Sequence, residues 1–184
     1  MLNDLPVELL KSFLTYDEFS GDLIWKRRER SHFPNDQAYN AWNARFPGKK
    51  IGAVSNGYVI FSIFKRLYKA HRVAWAIYHG EWPNRHLDHI DGNRSNNRIA
   101  NLRVVSRAEN NMNMARKSTN TSGQTGVSRT KSGMRWRARI QANGKAKTIG
   151  SFATKEEAIT ARKLAEVDYG FHANHGRQRE GFGK

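Results

Sequence analysis

The segment from His86 to Asn113, HLDHIDGNRSNNRIANLRVVSRAENNMN, holds the residues whose types and spacing could do chemistry. Asp88 offers a hard carboxylate oxygen and Asn110 a neutral amide oxygen. Such a sparse, oxygen-only set suits Mg²⁺ completed by water and phosphate, with Mn²⁺ as an alternative. His89, next to Asp88, titrates near neutral pH and can take a proton from a water. A base beside a cation that grips phosphate is the equipment for hydrolysing a phosphodiester. Other metal readings fail. A calcium loop needs Gly at its sixth position and Glu at its twelfth, whereas Gly92 is fifth from Asp88 and Ala100 thirteenth. A zinc site on His86 and His89 lacks partners, since the chain has no cysteine.

These groups need a scaffold, and the segment supplies one. Two or three residues of strand carry Asp88 and His89, and a loop rich in Gly, Asn and Asp follows from Asp91 to Asn97. Asn101-Leu102-Arg103-Val104-Val105 reads as a returning strand. Ser106 and Glu109 have capping-box spacing, which starts a helix at about Arg107. This strand, loop, strand and helix resembles the HNH (ββα-metal) nucleases, in particular the homing-type branch with its DH…NN…NL…EN pattern. The resemblance implies that His89 is the general base, that Asp88 and Asn110 ligate the metal, and that Asn101 braces the loop at the catalytic centre. The third letter of HNH is an Asn in this chain, which leaves one charged protein ligand and points to a weakly held, exchangeable cation. The lead-in AHRVAW…HGEWP extends the likeness over residues 23–113.

Ahead of the segment, Leu5 to Tyr16 has the apolar face of a short helix, Leu23 to Lys26 reads as a strand, and Asn35 to Phe46 as a second helix. Ile51 to Val54 and Tyr58 to Phe64 flank Asn56-Gly57, a strong hairpin signal, with a turn expected at Lys65-Arg66. Ala70 to His79 is a compact helix ended by Gly80; His71 on it is expected to be a buried structural histidine. Met112 to Thr125 is small and polar, a linker by composition. Arg116 and Lys117 within it would either lie along DNA or belong to a free tether.

Gly126 to Gly176 forms a second unit. MRWRARIQA alternates, with Trp136, Ala138 and Ile140 on one face and Arg135, Arg137, Arg139 and Gln141 on the other. Asn143-Gly144 turns the chain into Lys145 to Phe152, and Thr154 caps a helix running to about Tyr169. The pattern GV…WRARI…IGSF…T-EEA…A resembles the ERF-type (Apetala) DNA-binding domain, which implies a three-stranded sheet with its bare face in the major groove. By matching positions the base-facing set is Arg129, Arg137, Arg139, Gln141 and Thr148, with Arg135 and Lys131 beside them. Arg can pair with guanine and Gln with adenine. Thr148 and Arg139 depart from the aromatic and acidic residues usual in that family, so its target sequence does not transfer. No carboxylate occurs between Glu109 and Glu156, while ten Lys or Arg do.

The whole-chain balance agrees. Lys+Arg 32 against Asp+Glu 16 gives a net charge of +16, which favours a polyanion partner, double-stranded DNA first. No run reaches the length of a membrane span and the N-terminus lacks a signal-peptide layout, so a cytoplasmic, nucleoid-associated protein of a host cell is expected. The expected class is α+β: an HNH nuclease domain over residues 1–113 with its core at 86–113, a linker at 114–124, the sheet-and-helix domain at 125–176 and a loose tail at 177–184. The function implied is a metal-dependent DNA endonuclease that nicks as a monomer or cuts both strands as a homodimer. A non-catalytic DNA-binding regulator is the rival. An RNA-binding protein ranks low, since Trp136 falls on the covered face and leaves no aromatic on the bare one for bases to stack on.

Overall fold

The computed structural model describes residues 4–112, 114, 116, 119–142, 144–173 and 175–176. Its class is α+β, built on several small antiparallel sheets. The chain divides into two compact units, Met1–Val104 and Val105–Lys184. Lys117 and the tail at 177–184 lie outside the described residues.

In the first unit, α1 (Val7–Phe13) passes directly into the hairpin of β1 (Leu14–Asp17) and β2 (Asp22–Trp25). A helix continuing to Tyr16 was expected, but the backbone turns extended at Leu14. Leu14 and Tyr16 pair instead with Trp25 and Leu23, and Thr15 and Tyr16 are residue types that suit a pleated surface. After α2 (Asp36–Arg45), the strands β3 (Ala53–Ser55), β4 (Tyr58–Ile63) and β5 (Arg66–Lys69) form a meander. Asn56 and Gly57 make the first turn with both φ angles positive. Phe64 and Lys65 make the second in the same way, at φ 49° and 62°, one residue earlier than the expected Lys65-Arg66, so Arg66 opens β5. Phe64 meets Phe13 edge-on, centroids 5.6 Å apart, in a backbone region that residues other than glycine seldom adopt.

Beyond β5, α3 (Ala70–His79) ends at left-handed Gly80 and lies over the core formed by Leu10, Phe13, Leu14, Leu23, Phe61 and Val73. Next come β6 (His86–His89) and β7 (Leu102–Val105), a two-stranded sheet, and α4 (Arg107–Met112) follows one residue after β7. The division between units falls at the end of β7, ahead of the polar stretch that composition suggests.

The second unit carries β8 (Val127–Arg129), β9 (Trp136–Ala142) and β10 (Lys145–Phe152), with β9 central, and α5 (Lys155–Asp168) packed on one face. The Thr154 hydroxyl accepts from the Glu157 amide at 3.2 Å while the Glu157 carboxylate accepts from the Thr154 amide, a complete capping box. Gly126 is required: at φ +81°, a Cβ there would strike the Arg139 carbonyl and the Arg162 side chain. Part of the polar stretch expected to be a tether belongs to this unit. Ser122 is buried and donates to the Gln124 carbonyl at 2.9 Å, and the Gly123 amide donates to Asn120 at 2.8 Å. Asn and Ser side chains bond nearby backbone readily, so the same residues serve a linker or a hydrogen-bonded turn. Among the described residues no helix is long and apolar enough to cross a membrane.

Candidate active site and nucleic-acid face

His89 closes β6 and is 4% exposed. Its Nε2 lies 3.3 Å from Asn97 Oδ1, and Asn97 is itself 3% exposed. An amide oxygen only accepts, so this contact is a hydrogen bond in the tautomer that carries the proton on Nε2 and the lone pair on Nδ1. The loop holding Asn97 is seated from the N-terminal hairpin. Tyr16 donates its hydroxyl to the Asn97 carbonyl at 2.7 Å. Gly21, at φ +79°, presses so close that a Cβ would come within 2.5 Å of the Arg98 amide nitrogen. Burial pushes the His89 pKa below the usual histidine value, against the opposing pull of the Asn97 contact, Asp91 and Asp88.

Asn101 ties the two ends of the same loop together. Its Nδ2 donates to Asp91 Oδ1 at 3.0 Å and to the Asn96 carbonyl at 2.9 Å, and its Oδ1 accepts from the Asp91 amide at 3.0 Å. Burial works to raise the Asp91 pKa, but hydrogen bonds from Asn96, Asn93 and Asn101 hold it below the ordinary range. Asp91 is therefore a loop anchor, saturated by amides.

Asp88 is 12% exposed at its side chain and accepts two hydrogen bonds from Arg103 on β7, Nη2 at 2.9 Å and Nε at 3.2 Å, both on Oδ2. Asn110 lies on α4, behind a capping box in which Ser106 and Glu109 exchange hydrogen bonds at 2.7 and 3.2 Å. Among the described residues no three His, Asp or Glu side chains converge as a metal cage. A hard carboxylate oxygen such as that of Asp88, here shared with a guanidinium, is the donor type that suits a divalent cation of the Mg²⁺ kind.

His71, on the first turn of α3, is 5% exposed and packs edge-on against His89 with ring centroids 5.0 Å apart. Its Nδ1 is buried, with no hydrogen-bond partner among the described residues. Burial first, then the neighbouring charges of His89, Lys69 and Arg72, lower its pKa to about 3. Tyr58 at the start of β4 completes the wall, 5.3 Å from the His71 ring and 6.1 Å from that of His89. Arg103, Asn97 and Tyr58 were not singled out from sequence, because their importance comes from cross-strand neighbours.

In the second unit, Ala138 and Ile140 are buried beneath α5. Directly opposed residues of antiparallel strands share a face. Arg137 opposes Ser128 and Ser151, Arg139 opposes Thr148, and Gln141 opposes Ala146, so Arg137, Arg139, Gln141 and Thr148 occupy the bare face together. A bulge between Thr148 and Gly150 sets Thr148 and Ser151 on one side although they are three apart. Arg129 departs from the expected set. It opposes Trp136, on the helix-covered face, with its guanidinium 4.6 Å from the indole centroid and its Nη1 donating to the Gly133 carbonyl at 2.6 Å. The reason is the alternation from buried Val127, two residues earlier. Arg135 is exposed and donates to the Ser151 carbonyl at 2.9 Å; Lys131 is exposed in the preceding turn; Arg116 donates to the Gly123 carbonyl.

The HNH endonuclease family matches residues 68–112, a span that includes His71, Asp88, His89, Asn101 and Asn110. The chain is also similar to Protein 3.8 of Escherichia phage T7, with 40% identity over 86 residues that cover 45% of this chain and 71% of that protein. No solved structure matches the chain. The chain thus belongs to the family of the phage T7 Protein 3.8 and carries an HNH endonuclease segment at residues 68–112.

Proposed function

We propose that the protein is a divalent-metal-dependent DNA endonuclease of the homing type, with the cutting chemistry at β6–β7 and a preferred double-stranded site held by the sheet of the second unit. One observation carries this reading. A histidine with its proton fixed on Nε2 and its pKa lowered by burial stands beside a carboxylate, inside a matched HNH segment. A neutral imidazole at physiological pH can accept a proton from water through Nδ1. The activated water would attack the scissile phosphorus in line and leave 5′-phosphate and 3′-hydroxyl ends. Asp88 would hold Mg²⁺, and the family pattern gives Asn110 the same duty. Bound there, the cation supplies positive charge against the developing phosphorane and the departing 3′ oxygen. Asn101 keeps the Asp91–Asn97 loop, and hence Asn97, in register with His89.

A single copy has one such site and would nick one strand, whereas a homodimer would cut both. The work would take place in the cytoplasm of a host cell, where the DNA lies. Conversion of supercoiled plasmid by the purified chain, with Mg²⁺ and with EDTA, tests the reading, and metal-independent or absent conversion sinks it. The Asp88→Asn variant is expected to bind duplex DNA in EDTA as the wild type does and to need roughly tenfold or more Mg²⁺ for half-maximal cleavage. An unchanged metal requirement would remove Asp88 from the site.

For the second unit, the ERF-like pattern and the shared face of Arg137, Arg139, Gln141 and Thr148 support reading of base edges in the major groove. Arg137→Ala and Arg139→Ala should each lower preference for the cognate site by roughly 1–3 kcal/mol while sparing bulk affinity. Competition binding against a randomised duplex measures this. An equal loss on every sequence would reduce the two arginines to phosphate contacts.

A further inference from the structure

Beside His89, two cations gather on one ring. Lys69 Nζ lies 4.3 Å from the Tyr58 centroid and the Arg94 guanidinium 4.9 Å from it. Arg94 comes from the loop after β6 and also donates to the Asn56 carbonyl at 3.4 Å. Lys69 comes from the junction of β5 and α3, where it is the residue preceding the helix. Each is coupled to the histidine pair, Arg94 to His89 and Lys69 to His71. Among the described residues, neither is ion-paired with a carboxylate.

The arrangement opposes its own electrostatics. Lys69 sits at the positive end of the α3 dipole, and that helix has neither a side-chain cap nor an acid in its first turn. A second cation on the same ring adds repulsion that the weak attraction of the ring quadrupole offsets only in part. An uncapped helix start, two cations and an aromatic that orients both describe a place prepared for an anion.

We propose that Lys69 and Arg94, aligned by Tyr58, clamp the backbone phosphates of DNA next to the bond that His89 addresses. This rests on the reading of DNA as the substrate of that site. The clamp would contribute affinity and strand placement without reading sequence, since phosphate contacts carry none.

The test measures binding of the full chain to a fluorescently labelled duplex in EDTA, by anisotropy, over a series of salt concentrations. Each phosphate contact contributes about −0.9 to the slope of log affinity against log salt. Lys69→Ala and Arg94→Ala should each flatten the slope by about one contact, and the double variant by about two. Lys69→Arg and Arg94→Lys should keep the wild-type slope, which separates lost charge from lost fold. Tyr58→Leu should reduce the slope while Tyr58→Phe preserves it. Slopes unchanged in both alanine variants overturn the clamp. Plasmid conversion by the wild type is scored in parallel. A chain that never cuts but loses slope in the variants sinks the nuclease and keeps the clamp, and one that cuts with unchanged slopes does the reverse.

Discussion

Replacing His89 with alanine is expected to lower metal-dependent plasmid conversion by roughly 10²- to 10⁴-fold, the range that a positioned general base supplies. The residue is prepared for that duty on three counts. Asn97 fixes which nitrogen carries the proton, His71 and Tyr58 fix the ring plane, and burial keeps the imidazole neutral. His89, Asn97, His71 and Tyr58 all belong to the first unit, so the variant should bind duplex DNA in EDTA with nearly wild-type affinity. Loss of cleavage with retained binding identifies a catalytic residue; loss of both would mean that the substitution collapsed the β6–β7 loop. The Asn97→Ala variant separates these outcomes, because it removes the tautomer control and leaves the imidazole. Its cleavage should fall between wild type and His89→Ala. In the wild type, open-circular product alone indicates a nickase, and linear product appearing with it indicates paired sites. Full conversion by His89→Ala would remove His89 from the chemistry, whereas no conversion by the wild type would move the function to the DNA-binding regulator, with Asp88 as a structural partner of Arg103.

The parts that sequence reveals and the parts it hides divide along physical lines. Features governed by neighbours in the chain were legible: the Asn56-Gly57 turn, the capping spacing of Ser106 and Glu109, the Thr154 cap and the alternation from Met134 to Ala142. The turn after β4, expected at Lys65-Arg66, falls one residue earlier at Phe64-Lys65, because left-handed backbone is reached there without the glycine that usually marks it. Leu14 to Tyr16 was misread because its apolar spacing suits a helix as well as the strand it forms. For Arg129 the information was present: two residues after Val127 in a strand, it had to share that residue's face. In the candidate segment, Asp88, His89, Asn101 and Asn110 follow one another in a pattern that can be read without the fold. Arg103, Lys69, Arg94 and Tyr58 gain their meaning only when β4, α3 and the β6–β7 loop come together, and no local period encodes that meeting.

Stability of the first unit should fall as pH drops from about 6.5 toward about 3, and His71 should account for much of the fall. Unfolded, this histidine has the ordinary value of 6.5; folded, burial and the charges of His89, Lys69 and Arg72 lower it to about 3. Between those two values the unfolded chain holds a proton that the folded chain refuses. The unfolded state therefore binds more protons in this window, and stability must rise with pH across it and fall as pH decreases. Above 6.5 both states are neutral and the effect vanishes. At 1.36 kcal/mol for each pH unit traversed, the loss by pH 4.5 is on the order of 2–3 kcal/mol, a large part of a small domain's stability. His89, lowered in the same direction, adds to it. Denaturant unfolding at pH 7.5, 6.5, 5.5 and 4.5 measures the trend, with tryptophan emission as the probe; Trp25, Trp42, Trp75 and Trp82 all lie in the first unit. The His71→Gln variant keeps a polar side chain of similar reach and cannot take the proton. Its stability at pH 7.5 is expected to be lower, because an amide replaces a ring packed on Tyr58 and His89. Its dependence on pH between 6.5 and 4.5 should nevertheless be visibly flatter than that of the wild type. Parallel curves for the two proteins would mean that the folded chain accommodates a charged His71, and that the contact with His89 opens before pH 4.5 to admit water.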